Sequence, residues 1–224
     1  MDKKLRNEYI LLAITAVSVT ITGIVFRQSF LRMLPLYFSM IIMLLNSRVN
    51  RYGALMGGLN SLLYTYSYVY HELYASAFYA LFFSFPLQVV TFILWTKRKD
   101  GRTTRLRKMT QKQRSIVFII SLLIWVIGLL LLNKVGGNYS ILDNSATILG
   151  VIVTFLTVFA YIEYTYISIL SGIINIMLNV AVVFESPEMM PYLIMSVYSA
   201  VCVLNAFFRA RQIYYEQNIE VDNI

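Results

Sequence analysis

Asn60, Gln88, Asn175 and Asn179 are amides set inside long apolar runs. None can act as a nucleophile or a base. An amide in such surroundings is costly to leave unpaired, so it faces a neighbouring helix or a polar ligand, to which it offers two donors and an acceptor. Three of them fall in a repeated pattern. Gly53, Gly57, Asn60 and Tyr64 recur as Ser168, Gly172, Asn175 and Asn179, and this 4-3-4 spacing puts each quartet on one helix face. The small members, with Gly58 and Ser171 beside them, suit close helix packing equally well. Gln88 follows Pro86, which removes a helical hydrogen bond and frees a carbonyl one turn earlier. Aromatic rings are the other resource, with 17 tyrosines in the chain. Tyr64, Tyr66, Tyr68, Tyr70, Tyr74 and Tyr79 cluster in one stretch. Some belong to an interfacial belt, while Tyr64 and Tyr79 are candidates to stack on a planar ligand, more strongly if it is cationic.

Reactive groups are scarce. There is no HExxH, GxSxG or P-loop, and the acids lie almost wholly in loops and tails, with Glu163 alone at a helix junction. One histidine, His71, and one cysteine, Cys202, are too few for a zinc or iron site and exclude an internal disulfide. The expectation is therefore no catalytic residue, no metal, no cofactor and no enzymatic activity.

The elements that must position these residues are membrane spans. Hydrophobic residues make up 58% of the chain and charged ones 13%, with mean hydropathy +0.67. A soluble domain carries about 25% charged residues. At about 20 residues per crossing, the runs Tyr9–Phe26, Phe30–Leu45, Tyr52–Tyr70, Leu73–Trp95, Ile116–Leu132, Ser145–Ile162, Tyr164–Phe184 and Met190–Phe208 give eight transmembrane helices. Arg27-Gln28 follows the first run in place of a small-residue cleavage site, so that run is expected to be retained. Lys97–Arg114 holds nine cations against Asp100 alone. Between apolar spans it reads as an orienting cytoplasmic loop rather than a nucleic-acid patch. With that loop and both termini inside, sixteen basic residues face the cytoplasm and three, Arg27, Arg32 and Lys134, face outward. Helices two to four and six to eight then run in the same sense, joined by a reversing fifth helix, as two parallel three-helix repeats. The expected divisions are an N-terminal segment with one added helix (1–29), a first repeat (30–96), the basic loop and linker helix (97–135), a second repeat (136–209) and a polar cytoplasmic tail (210–224).

The stretches YGALMGGLNSLLY, HELYASAFYALFF and PLQVVTFILWTKRK, with Asp143-Asn144-Ser145-Ala146-Thr147 and Ile162-Glu163-Tyr164 in the second half, resemble the PnuC family of vitamin and nucleoside transporters from Leu34 to Arg209. The resemblance implies a full-length SWEET-like fold of 3+1+3 helices after one extra helix. It also implies a bacterial inner-membrane facilitator working by downhill uniport with metabolic trapping inside, and a homo-oligomer, commonly a trimer. Gln88 and Trp95 match the family's glutamine and closing tryptophan of the fourth helix. The WxxW pair and asparagine of nicotinamide riboside carriers align with Thr165, Ser168 and Gly172, so both indoles and the amide are absent. Either Tyr164, Tyr166 and Asn175 replace them from a shifted register, or the ligand differs.

The expected substrate-binding set is Asn60, Tyr64, Gln88, Thr165, Ser168, Asn175 and Asn179, with Tyr79, Trp95, Tyr164 and Tyr166 as stacking candidates. Nicotinamide riboside is the default ligand, and thiamine and deoxynucleosides are the alternatives within the family. A non-transporting membrane scaffold or receptor is the alternative outside it. Membrane lipids are expected partners; nucleic acid is not.

Overall fold

The computed structural model describes residues 3–70, 80–100, 103–135 and 140–222. Within them eight α-helices follow one another: α1 (Lys3–Val25), α2 (Phe30–Ser47), α3 (Tyr52–Tyr70), α4 (Phe85–Lys97), α5 (Gln111–Val135), α6 (Ser140–Val158), α7 (Glu163–Glu185) and α8 (Met190–Asp222). A π-helical turn, Ala80–Ser84, leads into α4, and a 3-10 turn, Pro187–Met189, leads into α8. Pro86 sits in the first turn of α4, where a missing N–H costs least, rather than breaking its middle. Among the described residues seven stretches are long and apolar enough to cross a membrane. α3 is not one of them. It shows an outward apolar stripe, Tyr52, Leu55, Leu59, Leu62 and Tyr66, but Gly57, Gly58, Asn60 and Ser61 dilute its other face.

Six helices close a ring, in which α2 packs on α3, α3 on α4, α4 on α6, α6 on α7, α7 on α8 and α8 back on α2. α5 lies outside against α6, and α1 lies outside against α8 and α2. α1 is anchored by a buried charge that the sequence did not single out. Glu8 meets Arg48 at 2.9 Å and Arg209 at 3.8 Å, and Arg48 lies over the Tyr9 ring. Burial opposes the charge on Arg48, but hydrogen bonds to Tyr9 and Glu8 outweigh it and raise its pKa.

Val49 (φ 53°) and Ala160 (φ 55°) are buried, left-handed residues that terminate α2 and α6. Each cap has the same pair of bonds. Val49 N–H reaches Asn46 O and Asn50 N–H reaches Leu45 O, while Ala160 N–H reaches Thr157 O and Tyr161 N–H reaches Leu156 O. This is a Schellman-type ending, normally completed by glycine. Aligning the caps pairs Gly57 with Ser168 and Asn60 with Ser171, one turn away from the match suggested by residue spacing.

The basic stretch is more than a solvated loop. Lys99–Asp100 and Thr103–Thr104 form a short antiparallel ladder, and Arg107 bridges the α6–α7 turn, N–H to Ala160 O and C=O to Ile162 N–H, both 2.8 Å. Arg98 donates to Phe159 O at 2.9 Å, which places a cation on the carbonyl end of α6. Its pKa is lowered by burial and by neighbouring Arg107. The polar stretch after Arg209 is helical. α8 continues as helix beyond Arg209 because Ala210 and Ile213 pack with Leu106 and Met109 of the basic stretch, and Gln217 accepts from Leu106 N–H at 3.0 Å.

Candidate functional site

The ring encloses a cavity of about 470 Å3 to which all six of its helices contribute, within the roughly 300–1,000 Å3 that ligand pockets span. Each contribution has helical spacing. α2 and the turn after it give Ser39, Met43, Asn46 and Asn50; α4 gives Gln88, Thr91 and Trp95; α6 gives Gly150, Thr154 and Thr157. α7 gives Thr165, Ser168, Gly172, Asn175 and Asn179, α8 gives Tyr192, Ser196, Ser199 and Cys202, and α3 gives Ala54 and Tyr64. No Asp, Glu, Lys, Arg or His is among the described residues lining it. Such a wall hydrogen-bonds and stacks. No group of three or more His, Cys, Asp or Glu residues that could hold a metal ion is found among the described residues.

Several lining hydroxyls are spoken for by their own helices, as hydroxyls in apolar helices usually are. Thr91 donates to Leu87 O, Ser168 to Tyr164 O and Thr165 to Ile162 O, at 2.7–2.8 Å. Asn175 Nδ2 reaches Ser171 O at 2.8 Å, and Asn179 Nδ2 reaches Asn175 O at 2.8 Å. Both side chains are only half-buried, so the amides are ordered by their helix and present to the void.

Toward the basic loop the cavity ends on a packed floor. The Trp95 indole donates to Thr157 O at 2.7 Å, a second bond to a carbonyl in the last turn of α6 that also accepts from Ala160 N–H. Its ring lies 6.5 Å from that of Tyr164. Below them Val49, Leu106, Met109, Leu156, Ala160, Ala210 and Ile213 form one buried cluster. Trp95 and Tyr164 therefore belong both to the cavity wall and to the seal beneath it.

Eight of the eleven expected site residues line this one cavity: Tyr64, Gln88, Trp95, Tyr164, Thr165, Ser168, Asn175 and Asn179. Three do not. Asn60 is 4% exposed and sits behind the wall, where its Nδ2 donates to Ser39 Oγ at 2.8 Å; Ser39 in turn meets the Tyr64 hydroxyl at 3.3 Å. The Asn60 Oδ1 is buried without a hydrogen-bond partner. Tyr166 is a correction. It is 48% exposed and packs edge-on against Phe207 on the outer surface, because residues two apart on a helix point about 200° from each other. Tyr79 lies outside the described residues. Sequence reasoning missed Ser39, Asn46, Thr154, Thr157, Ser196 and Ser199, although the three-and-four spacing used for α7 also runs through α2, α6 and α8.

Comparison with curated proteins gives no match. A solved structure, described as the crystal structure of the vitamin B3 transporter PnuC, superimposes with a TM-score of 0.77 at 18% identity, over 93% of this chain and 92% of that one. At that identity the likeness is one of fold. Residues 29–212 match the family described as nicotinamide mononucleotide transporter. A multi-pass helical ring around an uncharged polar cavity, with that match across most of its length, makes the chain a member of the nicotinamide mononucleotide transporter (PnuC) family.

Proposed function

We propose that the protein is a facilitator that carries a nucleoside-like, water-soluble vitamin down its gradient, with nicotinamide riboside the first candidate. The supporting observation is a cavity lined by amides, hydroxyls and aromatic rings, with no Asp, Glu, Lys, Arg or His among its described lining residues. Ribose hydroxyls and a carboxamide are recognised by Asn175, Asn179, Gln88 and Ser168, and a planar ring stacks near Trp95, Tyr164 and Tyr64, whose faces attract a pyridinium cation. A phosphate entering such a cavity would lose water without gaining a cation, a loss of several kcal/mol. This favours the riboside over the mononucleotide. It also explains trapping, since phosphorylation inside gives a product that the cavity disfavours. Among the described lining residues no carboxylate stands ready to take a proton or sodium ion, which supports uniport.

The ring order supports two parallel three-helix repeats, α2–α4 and α6–α8. The sixteen-to-three division of basic residues supports the basic loop and both termini on the cytoplasmic side of a bacterial inner membrane. Thiamine or a deoxynucleoside remains the second reading, favoured by Thr165 and Ser168 standing where riboside carriers of the family place indoles. Proteoliposomes test both. Labelled nicotinamide riboside is expected to equilibrate without ATP or an ion gradient, with the mononucleotide failing to compete. Accumulation that requires a gradient would contradict uniport. Competition by thiamine or a deoxynucleoside, with the riboside inert, would transfer the function to the second reading.

A further inference from the structure

A second, larger concavity of about 900 Å3 lies on the outer side of the ring, between α5 and α7. α5 makes its main contact with α6, which leaves a slot beside α7. Phe118, Leu122, Ile148, Ile152, Ile167 and Leu170 wall it. Its two ends differ. At the basic-loop end Lys108, Arg114 and Arg211 rim the opening. Glu163 engages Arg114 at 2.8 Å. Among the described residues neither Lys108 nor Arg211 has an acidic partner, and the Arg211 guanidinium rests on the Phe207 and Tyr215 rings, 5.6 and 5.9 Å from their centres. At the deep end α5 and α6 close together, the Trp125 indole donating to Ser145 Oγ at 2.9 Å and Asn144 Nδ2 to Trp125 O at 2.8 Å.

From Arg114 to Trp125 a helix rises about 16 Å at roughly 1.5 Å per residue. That is half of the ~30 Å hydrocarbon core, the depth of one leaflet. A slot with apolar walls, one leaflet deep, and a rim of three cations against one carboxylate has the dimensions and charge of a single anionic phospholipid. We propose that it binds one, from the leaflet on the side of the basic loop, with the phosphate between Lys108 and Arg211 and an acyl chain along Leu122, Ile152 and Leu170. A zwitterionic lipid carries its own cation to the rim and binds less. This proposal does not depend on which substrate is carried.

Native mass spectrometry of the purified full chain from mixed phosphatidylglycerol and phosphatidylcholine micelles tests it. Retention of phosphatidylglycerol in preference to phosphatidylcholine is expected. At about 5-fold per cation, the double variant Lys108→Gln/Arg211→Gln should weaken phosphatidylglycerol roughly 25-fold. Leu170→Trp, which fills the slot and leaves the rim intact, should expel the lipid at unchanged melting temperature. Equal retention of the two lipids would overturn the proposal, as would a double variant that holds phosphatidylglycerol like wild type. Displacement by glycerol phosphate alone would show a site for soluble phosphate instead. If Leu170→Trp changed the oligomeric mass but left lipid bound, the slot would be a contact between copies, and the lipid assignment would fall.

Discussion

On α3 the small residues are filled from outside. A Cβ at Gly53 would collide with the Asn46 side chain, and one at Gly57 would lie 3.1 Å from Gln88 Cδ. Asn60 spends its donor on Ser39 and is fully buried. On α7 the matching face opens instead onto the cavity. A Cβ at Gly172 would meet only Ala200, at an ordinary 3.7 Å, and Asn175 and Asn179 line the void. The difference comes from the neighbours. α2 and α4 aim the long amides Asn46 and Gln88 at α3, whereas α6 and α8 offer α7 Gly150, Thr154, Ser196, Ser199 and Ala200. A stripe of glycine and asparagine thus becomes a packing seam or a binding wall according to the size of the side chains opposite.

The contrast can be broken most forcefully at its glycines. Gly57→Leu overpacks the α3–α4 seam and should lower stability by about 1–3 kcal/mol, read as a fall in melting temperature. Gly172→Leu grows into the cavity. It should fold near wild type, helped by better helix propensity, while abolishing riboside binding by calorimetry. If both variants lost stability equally, the two faces would be one kind of surface. The tyrosines of α7 give a smaller effect. Tyr164→Leu removes a ring worth about 0.5–1.5 kcal/mol beyond its area, roughly 2- to 12-fold in affinity, whereas the outward Tyr166→Leu should bind normally. A loss of affinity at Tyr166 would put the stacking site elsewhere. Smallest is the entry to α7. Ala160→Gly relieves a left-handed alanine that costs about 1–2 kcal/mol, less the entropy glycine adds, so a gain of up to about 1 kcal/mol in chemical denaturation is expected. At the entry to α3, Val49→Gly empties part of the buried floor and should show no such gain.

Much of this was legible. Among the described residues eight helices follow the eight apolar runs, the start of the fourth run (73–79) lying outside them. Seven stretches among them are long and apolar enough to cross a membrane, where each span satisfies its own backbone. Spacing alone also marks one continuous face of α7. The limits were physical. Spacing places residues on one helix face without saying what lies opposite, so Asn60 and Asn175 looked alike. Tyr164 and Tyr166 both stand near the missing indoles in a shifted register, but two residues apart on a helix they point to different sides. The continuation of α8 past Arg209 depends on Leu106 and Met109 folding back from a stretch that reads as charged loop. Glu8 gained its importance only when Arg48 and Arg209, distant in sequence, met it.

The central claim is that α7 binds and α3 packs. It is tested most directly by measuring riboside Kd and melting temperature together on Asn175→Ala and Asn60→Ala. A lost polar contact to a buried ligand costs about 1–3 kcal/mol, so Asn175→Ala should weaken binding roughly 5- to 150-fold with little change in melting temperature. Asn60→Ala should lose about 0.6–2 kcal/mol of stability, the range of interhelical hydrogen bonds in membranes, while the folded fraction binds within about 3-fold of wild type. The opposite pattern, with Asn175→Ala less stable but binding normally and Asn60→Ala losing affinity, would contradict the account.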